Sequence, residues 1–493
     1  MSRDPFLALP AREDRFQVYG LTLAFLGLFV ALYGSASALS AYVPWRLHVS
    51  FEFERAIPFV PYASAAYLSM DLLVGLSPFV LRDLRRILPM FTTLCVQTAI
   101  ASVCFLLLPV ETDFAPRHVG DGSAPLFQVA DLLNLERNFL PSLHVGFAVT
   151  AALAYAERVG VVGKLAFGLW ALGIAIATLL IHEHHLVDVI AGALLAWSVW
   201  RTVGARARRE SFVSAVDVEL LCLRNFVAFS RRHVRYLLIW VALIRASLPE
   251  YRKRRVLRTG FCFLQAVDDL LDGDRASDRE PLEVVQELRM ALERNAFGDD
   301  ELSRLARAFR ADILACGGPE ALDKALSLIG VMELDRTRVL QRQLLDAGEL
   351  RRHHHLTFRY SLDLLLIASA AELRADDIPE LIDALGWCST MRDLEDDLAQ
   401  GLINIPQDVF ERASRAATSP DTKLLLQTPV VHDWLCEELA RVAPLLDRSD
   451  VRLAELSDRK GAAVLSLFAR SIRRYAERRI PRKLSAARAA GVA

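Results

Sequence analysis

His184 and Asp188 stand four residues apart, so on a helix they share a face and the carboxylate can fix the tautomer of the imidazole. They lie in the run Ile181-His-Glu-His-His-Leu-Val-Asp188, and a second block, Asn138-Phe-Leu-Pro-Ser-Leu-His144, supplies another imidazole. Two histidines and an acidic orienter suit phosphoryl transfer through a phosphohistidine. His184 attacks phosphorus, His144 protonates the leaving oxygen, and Arg117 with the helix-start amides near Ser142 neutralises the phosphate. A single such histidine reads as a helix cap; two blocks of ionisable residues converging at helix ends on one membrane face read as a site.

A different chemistry is written further along the chain. Asp268, Asp269 and Asp272 fall in Phe261-Cys-Phe-Leu-Gln-Ala-Val-Asp-Asp-Leu-Leu-Asp272, and Asp393 and Asp397 in Met391-Arg-Asp-Leu-Glu-Asp-Asp397. In each run an i, i+4 acid pair shares a helix face, which costs an isolated helix about 0.2–0.5 kcal/mol and has no local compensation. A cation supplies one. Magnesium is held by a few carboxylates plus substrate phosphate oxygens, so two such helices facing each other suit the diphosphate of a prenyl substrate and its removal as a leaving group. Apolar and aromatic walls would shield the allylic cation left behind. Arg254, Arg255, Arg258, Arg338 and Arg392 are candidates to hold the released diphosphate, and His353-His-His355 reads as an exposed polar turn.

The elements that must position these groups differ between the two halves. Hydrophobic residues make up 53% of the 493 and charged residues 24%, with a mean hydropathy of +0.28, the mixture expected of one apolar region joined to one soluble region. Apolar runs at Val18–Tyr42, Ile57–Leu81, Leu88–Val110, Leu143–Ala156, Leu165–Ile181 and Leu186–Val203 predict a transmembrane bundle of about six helices over residues 15–205, its first helix retained rather than cleaved as a signal peptide. Basic clusters at Arg12 and Arg15, at Arg82, Arg85 and Arg86, at Arg158 and Lys164, and after Arg201 all fall on one side if the spans alternate. The positive-inside rule makes that side the cytoplasm. From Glu210 the sequence turns charged and amphipathic, predicting an all-α domain over 210–485 on the cytoplasmic side of a multi-pass membrane protein. A net charge of -1 gives no case for nucleic acid, and seven scattered cysteines indicate neither a disulfide framework nor a zinc site.

The wording of the first two blocks resembles the type 2 phosphatidic acid phosphatase superfamily, and that of Asn138–His144 its inositolphosphotransferase-like branch. The resemblance implies His184 as nucleophile, His144 as acid and Asp188 as orienter. It departs at Ala115-Pro-Arg117, where relatives carry a fuller basic motif, and at Ala177-Thr178, where many carry Ser-Arg. The acid runs, with Ser230-Arg-Arg232, Met332-Glu-Leu-Asp335 and Asn404-Ile-Pro406, resemble the squalene and phytoene synthase family. That resemblance implies an all-α isoprenoid synthase fold, magnesium on Asp268, Asp272, Asp393 and Asp397, and Asp335 lining the cavity. Thr357–Asp363, Ser389 and Gly401-Leu-Ile-Asn404 depart from the family wording. Together these expectations describe a bifunctional membrane enzyme acting on prenyl diphosphates and a lipid phosphate or diphosphate. A lipid phosphotransferase and a non-catalytic isoprenoid-binding membrane protein are the alternatives.

Overall fold

The computed structural model describes residues 5–114, 127–129, 138–416 and 425–480. It is helical throughout, with one isolated backbone bridge, Leu47 to Val110, among the described residues. The chain divides into two compact units, Met1–Leu220 and Leu221–Ala493.

The first unit is built on α1 (Arg15–Ser40), α2 (Ser64–Gly75), α3 (Ser77–Leu81), α4 (Leu84–Leu107), α5 (Leu143–Ala156), α6 (Val161–Leu180) and α7 (Leu186–Val199), the last running on through a π-helical turn at Trp200–Gly204. Four of its helices are long and apolar enough to cross a membrane: α1, α4, α6 and the extended α7. The run expected to span as one helix over Ile57–Leu81 is broken instead. Pro58 and Pro61 withhold amides from a helix start, 3-10 turns occupy Glu52–Ala56 and Pro61–Ala63, and Pro78 opens α3 after the break at Leu76. α1 packs on α4, α4 on α5, and α5 on α6 and α7. Phe25, Phe91, Phe105 and Phe147 fill the core, while Leu23, Val30, Leu165, Leu169 and Leu194 face outward, an arrangement suited to lipid. Inside, Gln97 donates to Thr150 Oγ1 at 2.6 Å and Thr93 and Thr98 donate back to carbonyls one turn earlier, as polar groups without water must.

The second unit comprises α8 (Glu210–Arg232, which begins in the first unit), α9 (Arg235–Ser247), α10 (Arg255–Leu271), α11 (Pro281–Arg294), α12 (Glu301–Gln341), α13 (Ala347–Ala368), α14 (Pro379–Gln400), α15 (Gln407–Ala416), α16 (Pro429–Glu455) and α17 (Arg459–Arg478). α10 packs on α12, α12 on α13, α13 on α14, and α14 on α16 and α17. α12 bends at Gly318, whose φ of 64° is open to glycine, followed by Pro319. Phe309 and Ile313 before the bend and Leu328 and Met332 after it line one cavity.

Candidate active sites

In the first unit Ser142 caps α5, its Oγ accepting from Val145 N at 3.4 Å, and its own N–H donates to the Asp188 carbonyl at 3.0 Å. Ser142 Oγ thus accepts as a cap, which leaves its hydroxyl proton to donate. Gly192 lets α7 press on this point, because a Cβ there would meet the Ser142 carbonyl oxygen at 2.3 Å. The starts of α5 and α7, and so His144 and His184, are brought together: their ring centroids lie 6.1 Å apart. His144 stacks on Tyr67 at 4.1 Å, with the Tyr67 hydroxyl 3.2 Å from Nδ1.

Asp188 holds the expected neighbourhood with a different set of bonds. Its Oδ2 accepts the His185 amide at 2.9 Å and lies 3.6 Å from His184 Nδ1, an ion-pair distance beyond hydrogen bonding. His184 Nδ1 and Asp188 Oδ1 are buried without a hydrogen-bond partner among the described residues. Each is a buried polar atom that a bound ligand could satisfy. Arg117 lies outside the described residues.

Glu54 was not anticipated. Its carboxylate accepts from His185 Nδ1 at 2.7 Å and from Leu186 N at 3.3 Å, and both side chains of the His185–Glu54 pair are buried. His185 Nε2 accepts the Asp113 amide at 3.2 Å, which fixes the Nδ1–H tautomer and occupies the remaining lone pair. Phe114 stacks between His182 and His185, at 4.2 and 4.4 Å. Of the two adjacent histidines, His185 is therefore a tether and His184 the one with chemistry left. The signal in sequence was a pair of acids, Glu52 and Glu54, in an aromatic segment beside an apolar run.

In the second unit α10 carries one acid, Asp268, to the wall of an apolar cavity of about 310 Å³, and places another, Asp272, near enough to Asp397 of α14 for the two to repel. Asp268 lines it beside Gln265, Phe261, Leu264 and Phe309. Burial first, then Asp272 and Asp269, push the Asp268 carboxyl up to about 8. Asp272 is pushed up to about 6 by lost hydration, then by Asp274 and Asp335. Asp397 goes to about 7, again through burial, with Asp393, Asp272 and Asp335 adding repulsion. Carboxylates from α10, α12 and α14 thus feel one another. Glu395 and Asp396, by contrast, are solvent-exposed on the far side of α14.

Asp335 behaves differently from its neighbours. Although burial opposes it, hydrogen bonds from His353 and Arg338 hold its carboxyl below the ordinary range. Arg338, 1% exposed, donates to Asp335 Oδ1 at 2.8 Å, to Asn404 Oδ1 at 3.1 Å and to the Ile403 carbonyl at 2.6 Å, while Asn404 Nδ2 donates to Asp397 at 3.0 Å. Arg338 is a buried tie between α12 and the end of α14, not the diphosphate ligand expected. Arg392 grips its neighbour Asp393 at 2.6 Å. Asp269 pairs with Arg232, which leaves it off the face shared by Asp268 and Asp272. Arg255 is held by Asp312 and Arg258 lies over the Tyr251 ring, both at the opposite end of α10, about 15 Å or more from Asp268 by helical rise. Arg254 is taken by Glu250 and the Ala246 carbonyl. Arg336, not singled out from sequence, is the cation that acts on Asp272.

His353 to His355 form no exposed turn; they lie on α13, with His353 buried against Asp335 at 2.9 Å and His355 bonded to Asp383 at 2.7 Å. Among the described residues no set of three His, Cys, Asp or Glu side chains is arranged to hold a metal ion unaided. Asp268, Asp272 and Asp397, with Asp393 one turn before Asp397 on α14, nevertheless fit magnesium, which takes few protein carboxylates and completes its shell from water and substrate. Their mutual repulsion is the observation that favours a cation there.

Residues 40–202 match the model of the PAP2 superfamily, a stretch that includes Glu54, Ser142, His144, His184 and Asp188. Among solved structures, squalene synthase HpnC from Alicyclobacillus acidocaldarius is similar at 22% identity, over 56% of this chain and 94% of that one, with a TM-score of 0.39. No curated protein sequence matches the chain.

Proposed function

We propose that the chain is a bifunctional membrane enzyme of isoprenoid metabolism, whose second unit ionises and condenses prenyl diphosphates with magnesium and whose first unit removes phosphate from a lipid phosphate or diphosphate. The observation that carries this reading is the nearness of buried acids from α10 and α14, Asp272 and Asp397, beside Asp268, which lines an apolar cavity.

In the second unit Asp268, Asp272, Asp393 and Asp397 would hold the metal. Magnesium, when bound, would neutralise the diphosphate and make it a good leaving group. The prenyl chain lies along the apolar wall, where Phe261 and Phe309 face the developing cation and exclude water. Asp335 stays ionised at neutral pH because His353 and Arg338 bond it, and Arg338 with Asn404 fixes the position of Asp397. Arg336 is the cation placed to meet released diphosphate beside Asp272.

In the first unit the charge of Asp188, 3.6 Å from His184 Nδ1, would favour the proton on that nitrogen, so that Nε2 attacks phosphorus and the lipid alcohol leaves with a proton from His144. The amides at the start of α5, with Arg117, receive the phosphate oxygens. Water on the far side then hydrolyses the phosphohistidine. Following the basic clusters, this site faces outward and the second unit lies in the cytoplasm.

Purified protein with magnesium and radiolabelled farnesyl diphosphate should yield a longer apolar product, and Asp268→Ala should not. Intact substrate, or equal turnover by the variant, defeats the synthase reading. Phosphate release from a prenyl phosphate should vanish in His184→Ala. Because the Asn138–His144 wording is closest to a phosphotransferase branch, polyols belong in the same assay, and a new phospholipid would identify transfer in place of hydrolysis.

A further inference from the structure

Helix α9 carries apolar side chains on its exposed face as well as on its buried one, with Arg235 and Arg245 the only charged residues along it. Inward, Tyr236 and Ser247 are buried and Leu243 reaches the cavity wall. Outward, Val234, Leu238, Val241 and Leu248 are 73%, 68%, 55% and 65% exposed. Val234, Leu238 and Val241 are four and three residues apart, and Arg245 and then Leu248 continue the same face, so the apolar stripe carries one cation within it. The other large exposed apolar side chains of this unit, such as Met290, Leu340, Val451 and Leu467, are scattered over separate helices. A stripe of this kind marks an interaction surface.

The charge around it says which kind. Residues 231–255 contain eight Lys and Arg against a single acid, Glu250. Arg231, Arg245 and Arg252 are exposed and make no ion pair among the described residues. Thirteen residues rise about 20 Å, too short for a hydrocarbon core of about 30 Å, so the helix is suited to lie on a bilayer and not to cross it. A second copy of this chain would bring like-charged flanks together, which Coulomb repulsion disfavours. A bilayer is also close at hand, because the same chain carries four helices long and apolar enough to enter one.

We propose that α9 is an interfacial helix that seats the second unit on an anionic lipid surface. Val234, Leu238, Val241 and Leu248 enter the boundary between headgroups and acyl chains, and Arg231, Arg245 and Arg252 meet lipid phosphates. This goes beyond the catalytic reading and does not depend on either site being active.

The full-length protein, reconstituted in phosphatidylcholine vesicles with or without phosphatidylglycerol and a trace of photoactivatable phospholipid, provides the test. Lipid adducts should map to the peptide holding residues 234–248 in the anionic vesicles. They should fall several-fold without phosphatidylglycerol, at high salt, or in a combined Arg231→Gln, Arg245→Gln, Arg252→Gln variant. Leu238→Glu with Val241→Glu should abolish them while adducts on α1 and α6 persist. Those side chains already face outward, so the fold should tolerate the change, and an unaltered melting temperature checks this. Labelling of α1 and α6 with none on α9 overturns the proposal, as does a protein crosslink at α9 in place of lipid. Equal α9 labelling with and without anionic lipid overturns the part assigned to the arginines.

Discussion

His184 and His185 are neighbours in sequence with opposite circumstances. One has a buried nitrogen with no hydrogen-bond partner and a carboxylate 3.6 Å away; the other has both nitrogens committed. Replacing His184 by Ala should abolish phosphate release and leave the melting temperature near that of the parent. Replacing His185 by Ala should instead strand Glu54 and lower stability by about 3–5 kcal/mol, read as a large fall in the melting temperature. Arg338→Met should cost a similar amount, since Asp335 loses a buried partner, and Arg338→Lys should not restore a fork that donates to several acceptors. The acid pairs were legible because i, i+4 spacing is local information. The partners of Asp269 and Arg338 were not, because Arg232 and Asn404 arrive from other elements, the latter 66 positions away.

The carboxyls at the cavity also predict a pH dependence. Their values, raised to about 8, 6 and 7 for Asp268, Asp272 and Asp397, lie above those of an unfolded chain. The metal-free fold therefore binds more protons than the unfolded state. The stability this contributes is complete below about pH 4 and is lost as pH rises through 6 to 8. A cation must displace those protons, so magnesium affinity should climb over the same window and level off above it. Calorimetric titration of magnesium across that range checks the sign, and a flat affinity would contradict it.

Among the elements, α5 and α7 meet where glycine permits it. Gly192→Ala would drive a methyl into the Ser142 carbonyl, a backbone atom that can yield only if α5 shifts. Phosphate release should drop by about a hundredfold or more, since misplacement of about 1 Å is enough for that, and initial-rate assays should show it with the protein still folded. The long helices were readable from uninterrupted apolar runs, and α5 occupies the expected Leu143–Ala156. The broken second segment was not, because its length and hydropathy suited a span while Pro58, Pro61 and Pro78 governed its backbone. The histidine run on α13 was misread for a related reason: its burial depends on α12 packing across it.

At the level of the whole molecule, two compact units each carry a complete set of candidate groups, with no residue shared between them. Asp268→Ala should therefore leave phosphate release intact, and His184→Ala should leave prenyl turnover intact. Assaying both reactions on both variants would reveal any dependence of one on the other. The division into an apolar and an amphipathic half was visible in composition; the tether that holds the first half's loops was hidden, because its members are scattered. Glu54, Asp113 and His185 come from three stretches of chain, and His185 joins the other two. During synthesis Glu54 leaves the ribosome well before His185, so a nascent chain must carry that acid without its imidazole partner until α6 and α7 are made. A chain stopped before α7 would leave the Glu54 carboxylate without its imidazole, and completion of α7 supplies it.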